Sequence, residues 1–99
     1  MDKTIKVSVE IPMVEGRQSI QTVLLFHDDV VSLNKVFEEL SIRYGDWIIT
    51  FLTEDKQGHL NKSLVFIMDG YVLDCRKKAE DYRIIGNASI CILNVMDGG

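Results

Sequence analysis

A single helical pattern set among several strand patterns constrains the fold of this 99-residue chain more than any other feature. Apolar residues recur at helical spacing from Leu33 to Tyr44, and the stripe that they form occupies one side of the helix. A short helix of this kind gains its stability by packing that stripe on a larger apolar surface. We therefore predict an α+β domain over residues 1–95, with one main helix packed on one face of a mixed sheet of four to five strands.

The strand patterns differ in the burial that they predict. Residues Thr4–Ile11 alternate between polar and apolar side chains, which is typical of a half-buried strand, and Ile20–Phe26 would pair with it as a hairpin. Leu64–Met68 and residues 88–95 are apolar at most positions, which indicates central strands with both faces covered at least in part. Asp69-Gly70 predicts a tight turn into a short partner strand. Nothing in the sequence forbids a parallel pairing of the first and last strands.

Local signals delimit the helix and two less regular segments. Ser32 is a suitable N-cap and Gly45 a suitable left-handed stop. We interpret the apolar run Trp47–Leu52 as a short strand, although a run of this length also fits a helical turn. Residues 74–85 are polar and irregular and predict a loop with a short helical turn.

Charge and composition disfavour several functional classes. The chain has 11 Lys and Arg against 15 Asp and Glu, a net charge of −4, which disfavours nucleic acid and anionic membranes as partners. No apolar run approaches the roughly 20 residues of a membrane-spanning helix, and no secretory leader opens the sequence, so we expect a cytoplasmic protein. The two cysteines form no CxxC motif and no Cys/His cluster, so we expect no metal and no bound cofactor.

Cys75 is the strongest candidate for a catalytic side chain, and we interpret it as an ordinary loop cysteine. Arg76, Lys77 and Lys78 follow it, and their charges would lower the pKa of an exposed thiol. Cys91 lies in an apolar strand and is predicted to be a small core residue. Neither histidine has a nucleophile and an orienting partner near it in the sequence. We therefore predict that the chain is not an enzyme.

The last two residues of the sequence, Gly98 and Gly99, follow directly on a predicted strand. We expect residues 96–99 to form a flexible tail that reaches at most about 13–14 Å when extended. Glycine has no side chain, so such a tail fits a narrow slot in another protein. The free carboxylate of Gly99 would be ionised at neutral pH, and it would become a good acyl donor once joined to AMP. Disordered ends are also common at termini, which is the alternative interpretation.

Together these features resemble the β-grasp sulfur carriers and ubiquitin-like modifiers, most closely the family of the molybdopterin synthase small subunit and the thiamine-pathway sulfur carrier. The similarity covers nearly the whole chain and rests on the order and spacing of its parts. Those parts are the opening hairpin, the helix over 32–44, Tyr44-Gly45 with Leu52, Gly58 and Leu60, the run Leu64–Met68 with Asp69-Gly70, the turn Ile85-Gly86-Asn87, the strand over 90–95 and the Gly98-Gly99 end. The resemblance implies a β-grasp fold.

The resemblance further implies a carrier and substrate protein. An ATP-dependent adenylating enzyme of the ubiquitin-activating type would adenylate the Gly99 carboxylate, and a persulfide would displace AMP to leave a thiocarboxylate. The implied partners are therefore this activating enzyme, a sulfur donor and a sulfur acceptor protein, such as the large subunit of a synthase in molybdopterin-like cofactor biosynthesis. ATP would be used by the activating enzyme and not held by the chain. Two alternatives stay open, namely a modifier joined to proteins through Gly99 and a plain interaction domain.

A partner-binding surface is expected where the helix leaves the sheet uncovered. Leu64–Met68 and residues 88–95 are apolar on both faces, whereas one helix covers only one of them. An exposed apolar patch would be a docking site for the activating enzyme or the acceptor, unless the loop at 74–85 covers it. The predicted patch comprises Val65, Ile67, Leu93, Val95 and Met96.

Overall fold

The computed structural model of the protein describes residues 4–12 and 16–94, which form an α+β domain. The elements in chain order are β1 (Ile5–Ile11), β2 (Ile20–Phe26), β3 (Val31–Ser32), α1 (Leu33–Tyr44), α2 (Trp47–Leu52), β4 (Leu64–Met68), β5 (Tyr71–Val72), a 3-10 turn (Ala79–Asp81), β6 (Arg83–Ile84) and β7 (Ala88–Asn94). Five strands form a mixed sheet in the order β2-β1-β7-β4-β5, and α1 is the main helix. The predicted fold class is confirmed at this level.

The middle of the sheet is built from strands that are distant in sequence. β7 pairs in parallel with β1, with Val9 beside Ile90, and antiparallel with β4, with Phe66 beside Ile92. β1 and β2 form the predicted hairpin, in which Ile5 lies opposite Phe26. Because directly paired residues share a face, the alternation of Ile5–Ile11 determines which side chains of all its neighbours point to the core.

The turn between β4 and β5 has the conformation that Asp-Gly predicts. Asp69 and Gly70 both have positive φ, 52° and 88°, as a tight hairpin turn of the primed type requires. The backbone N–H of Asp69 donates to the carbonyl of Ser89 at 2.9 Å, and the Asp69 carboxylate accepts from the Ser89 N–H at 2.9 Å. The turn is therefore joined to β7 as well as to its own two strands.

The main helix begins and ends where the sequence predicts. The Ser32 hydroxyl accepts from the Lys35 N–H at 3.1 Å, which caps the first turn. Gly45, with a φ of 115°, ends the helix, and its N–H donates to the Ser41 carbonyl. The stripe facing the sheet is fully buried and places the Phe37 ring 6.1 Å from that of Phe66. Its members are Leu33, Val36, Phe37 and Leu40.

The interpretation of Trp47–Leu52 as a strand is wrong, because these residues form the short helix α2. Ile48 and Leu52, four positions apart, are both completely buried, which is the spacing of one helical face. The Trp47 indole N–H also donates to the carbonyl of Tyr44 at 2.9 Å, which ties α2 to the end of α1. Strand propensity favours these apolar residues, but packing against α1 and the core determines the outcome.

A second, two-stranded sheet at the base of α1 is absent from the sequence prediction. β3 pairs antiparallel with β6, Val31 opposite Ile84, and the Leu33 N–H donates to the Tyr82 carbonyl at 2.9 Å. The predicted helical turn within 74–85 is present as the 3-10 turn at Ala79–Asp81. Strands of two residues leave no periodicity in the sequence, so only their partners reveal them.

One hydrophobic core lies between the five-stranded sheet and the helices, and it includes Ile5, Leu24, Leu52, Phe66 and Ile92. Among the described residues, no side chain that is polar or charged is buried. Within the same part of the chain, no helix has the length and apolarity needed to cross a membrane.

Candidate functional site

The face of the sheet that α1 leaves uncovered, hereafter the open face, is the surface on which the sequence predicts partner binding. The strand registers place the alternate residues of each strand on it, since directly paired residues share a face. The open face consists of Lys6, Ser8, Glu10, Gln21, Val23, Leu25, Val65, Ile67, Val72, Ser89, Cys91 and Leu93.

The structure separates the predicted patch into exposed and half-buried members. Val65 and Ile67 are half buried, and Leu93 is 46% exposed. Val65 lies directly opposite Leu93, and Ile67 opposite Cys91, so these residues form one apolar group on β4 and β7. Leu64, Phe66, Ile90 and Ile92 have the other parity and face the core.

Three apolar residues of the open face are missing from the sequence prediction. Val23 and Leu25 on β2 are 47% and 54% exposed, and Val72 on β5 is 70% exposed. The signal for the first two lies in the hairpin register, because Val23 pairs with Ser8 and Leu25 with Lys6, which are the polar positions of β1. When a strand that is apolar on both faces pairs with a strand that alternates cleanly, its apolar residues opposite the polar positions are expected to be exposed.

Cys91 lies on the open face, so its assignment to the core is wrong. Residues of β7 alternate, and the buried parity is that of Ile90 and Ile92. The Cys91 thiol lies 3.5 Å from the Glu10 carboxylate, at an open hollow of about 570 Å³ that is also lined by Ser8, Gln21 and Ser89. Burial, together with the hydrogen bond to Glu10 and the negative charge of that residue, raises the pKa of the thiol. A protonated thiol is a poor nucleophile.

Cys75 does not have the activated thiol that its basic neighbours would produce. It is half buried, and its Sγ lies 3.7 Å from the carbonyl oxygens of Asn61 and Leu64. Burial raises the pKa of the thiol, and the charges of Asp74 and Glu54 raise it further.

The side chains of Arg76 and Lys77, which follow Cys75, contact other groups and not its thiol. The guanidinium of Arg76 donates to the Asp74 carboxylate at 3.0 and 3.1 Å, and the hydrogen bonds from Arg76 lower the pKa of Asp74. The ammonium of Lys77 lies over the Tyr82 ring, 5.7 Å from its centroid. Arg76 and Lys77 therefore contact groups other than the Cys75 thiol.

One further pair of titratable side chains, those of Asp55 and His59, closes the loop between α2 and β4. His59 Nδ1 lies 2.7 Å from one carboxylate oxygen of Asp55, and the other oxygen accepts from the backbone N–H groups of Gln57 and His59. Partial burial opposes ionisation of Asp55, but the side-chain and backbone hydrogen bonds from His59 outweigh it and lower the pKa. This arrangement is structural, and the described residues include no cluster of three or more side chains suited to a metal ion.

The structure brings together only part of the predicted site. β7 ends at Asn94, immediately after Leu93 and next to Leu64 of β4. Val95 and Met96 of the predicted patch, and the predicted modification site at Gly98 and Gly99, lie outside the described residues.

Comparison with known proteins adds little. No family model and no curated protein matches the chain. A superantigen-like protein from Staphylococcus aureus, solved in complex with 3-N-acetylneuraminyl-N-acetyllactosamine, is similar with a TM-score of 0.43 and 14% identity over 94% of this chain. The chain spans 53% of the length of that protein. A similarity at this level carries no conclusion about fold or function.

Proposed function

We propose that the chain is a β-grasp sulfur carrier whose Gly99 carboxylate is adenylated by a partner enzyme and converted to a thiocarboxylate. The observation that supports this most is the end of β7. The strand in the middle of the sheet ends at Asn94, next to the apolar group of Val65 and Leu93, and the sequence then continues through five residues to Gly99. A partner docked on the open face would therefore have the chain end within reach of its active site.

In the proposed reaction, every atom of this chain that reacts belongs to Gly99. Its carboxylate oxygen attacks the α-phosphorus of ATP, and pyrophosphate leaves. The terminal sulfur of a persulfide then attacks the acyl carbon, and AMP leaves. A thiol finally attacks the remaining sulfur–sulfur bond, which releases the thiocarboxylate and leaves a disulfide behind. The described part of the chain supplies only recognition, in agreement with the raised pKa of both thiols.

Intact mass spectrometry tests the chemistry directly. The protein is incubated with cell extract, ATP and a sulfur source, and a mass gain equal to the exchange of one oxygen for sulfur at Gly99 is expected. A chain extended by one alanine after Gly99 is the matched control and should stay unchanged, because its activated carboxylate is displaced. A ladder of larger protein adducts would instead indicate a modifier, and an unchanged mass under all conditions contradicts the carrier.

A pair of substitutions tests whether the open face is the docking surface. Leu93→Asp adds a charge to the apolar group, whereas Ile42→Asp adds the same charge at a residue of α1 that is 76% exposed. We expect Leu93→Asp to lower the rate of thiocarboxylate formation at least about tenfold, since a charge in an apolar contact is desolvated without a partner. Ile42→Asp should react like the unmodified sequence. Equal rates for the two variants, with both folded by circular dichroism, would remove the open face from the proposal.

A further inference from the structure

The outer edge of β2 is an unprotected strand edge. β2 is the terminal strand of the sheet, and in the part of the chain that the structure describes it pairs only with β1. Its seven residues, Ile20–Phe26, include no charged residue, no proline and no glycine. Sheet proteins usually protect such an edge with a charge, a proline, a bulge or a very short strand. The opposite edge of the sheet is protected by its shortness, because its strand β5 has only two residues.

The direction of the backbone groups on β2 follows from one hydrogen bond. The Lys6 N–H donates to the Asn87 side chain, on the β7 side of β1. Backbone groups alternate along a strand, so Ser8 and Glu10 also point toward β7, whereas the residues between them point toward β2. Their partners on β2 are Ile20, Thr22, Leu24 and Phe26. Gln21, Val23 and Leu25 therefore direct their N–H and C=O groups outward, away from the sheet.

These outward groups are self-complementary about Val23. In an antiparallel pairing of two β2 strands centred on this residue, Val23 faces Val23 of the second copy, and Gln21 faces Leu25. All outward N–H and C=O groups of the three residues then find partners. A twofold axis of this kind gives a closed dimer that does not extend into a filament.

Side chains and charges favour the same arrangement. Val23 and Leu25 are 47% and 54% exposed on the open face, and across the axis Val23 would cover Val23 of the second copy while Leu25 would cover its Gln21. The antiparallel pairing also puts Glu10 of one copy in the same cross-strand row as Lys6 of the other, since Glu10 pairs with Gln21 and Lys6 with Leu25. A parallel pairing of the same two edges would turn the second copy over, so the open face of one copy would continue into the helix-covered face of the other. Arg43, whose guanidinium lies 3.5 Å from the Thr22 hydroxyl, is on the helix side and leaves the open-face side of the edge uncharged.

We propose that two copies of the chain associate through the outer edges of their β2 strands, antiparallel and centred on Val23, so that their sheets become continuous. The contact involves three residues of each chain, so the dimer is weak and depends on concentration. This proposal does not depend on sulfur transfer, and its test measures only self-association.

The test combines sedimentation with amide hydrogen exchange on the full chain up to about 1 mM. We expect a monomer–dimer equilibrium, with the amides of Gln21, Val23 and Leu25 exchanging more slowly as the concentration rises. The amides of Thr22 and Leu24 should not change, because they already bond to β1. This alternation distinguishes strand pairing from association through a side-chain surface.

Two substitutions of equal exposure provide the control. Val23→Lys places two positive charges opposite each other at the axis and should weaken the dimer at least about tenfold. Leu93→Lys puts the same charge on the same face at 46% exposure, but on the central strand β7, and should leave association unchanged. A monomer at every concentration, or a dimer that Leu93→Lys disrupts and Val23→Lys does not, overturns the proposal. A monomer that protects the same three amides only with an added extended peptide would assign the edge to a peptide ligand instead.

Discussion

Cys75 and Cys91 are both half buried, and the cations that follow Cys75 in the sequence do not determine the acidity of its thiol. Three basic residues follow Cys75, yet burial and the carboxylates of Asp74 and Glu54 raise its pKa. Burial, together with the carboxylate of Glu10, which is far from Cys91 in sequence, also raises the pKa of that thiol. Burial and two carboxylates, that of the adjacent Asp74 and that of Glu54, therefore outweigh the cations that follow Cys75 in the chain.

Alkylation rates test this conclusion at the level of the residue. With iodoacetamide at pH 8, we expect both cysteines of the folded protein to react at least about tenfold more slowly than those of the urea-unfolded chain, because less thiolate is present and access is lower. The rates in the folded protein should rise with pH until the raised pKa is passed. Because a raised thiol pKa favours the protonated folded form, the stability that it contributes is full below the ordinary thiol pKa and is lost as the pH rises above it. Peptide mapping by mass spectrometry measures each site, and a folded Cys75 that reacts as fast as the unfolded one contradicts the interpretation.

The glycine in the turn between β4 and β5 has a left-handed backbone conformation. Gly70 supplies a φ of 88° in the turn, and no atom lies within 4 Å of the position that a Cβ would take. Any cost of a side chain at this position therefore comes from the backbone angle and not from a clash. Gly86 has equally open surroundings without a left-handed φ, which makes it a matched comparison.

We expect Gly70→Ala to lower the free energy of unfolding by about 1 kcal/mol, since a left-handed backbone is unfavourable for an L side chain. Gly86→Ala should leave it unchanged or raise it by up to about 1 kcal/mol, because alanine restricts the unfolded chain. Urea unfolding with an unchanged m value measures both. Equal losses in the two variants would show that the turn does not depend on the backbone angle of Gly70.

The elements that could be predicted from sequence are those with a local physical signal. Ser32 and Gly45 delimit α1 correctly because a hydroxyl cap and a positive φ act within one turn. Trp47–Leu52 could not be assigned, because a six-residue run that is mostly apolar fits either structure until its packing against α1 is known. The open face was predictable as a consequence of having one helix, but its parity was not, since that depends on the strand registers. The site at Gly98 and Gly99 stays a prediction.

For the molecule as a whole, stability is concentrated at the middle of the sheet. Ile90 directs its N–H toward β1 and Cys91 toward β4, so both lie within ladders that are flanked on either side. The β5 hairpin lies at one edge and is held by the bond from the Leu73 N–H to the Phe66 carbonyl, at 2.8 Å, and by a short ladder. The edge can therefore open while the middle stays intact.

Native-state hydrogen exchange should reveal this difference. The amides of Ile90 and Cys91 are expected to exchange only through global unfolding, with the same free energy as urea unfolding gives. The amides of Tyr71 and Leu73 should exchange at least about tenfold faster, through local opening of the hairpin. Equal protection of the two groups would indicate that β5 is part of the same cooperative unit as β7.

The parallel pairing of β1 with β7 also has a consequence for the order of events during synthesis. β1 leaves the ribosome early, but its central neighbour is the last strand of the described chain. Until β7 emerges, the β1–β2 hairpin and β4 have no strand between them, and the apolar stripe of α1 has only part of its sheet to cover. Pairing over this separation slows folding, and until β7 is available the apolar strands that it later joins stay exposed.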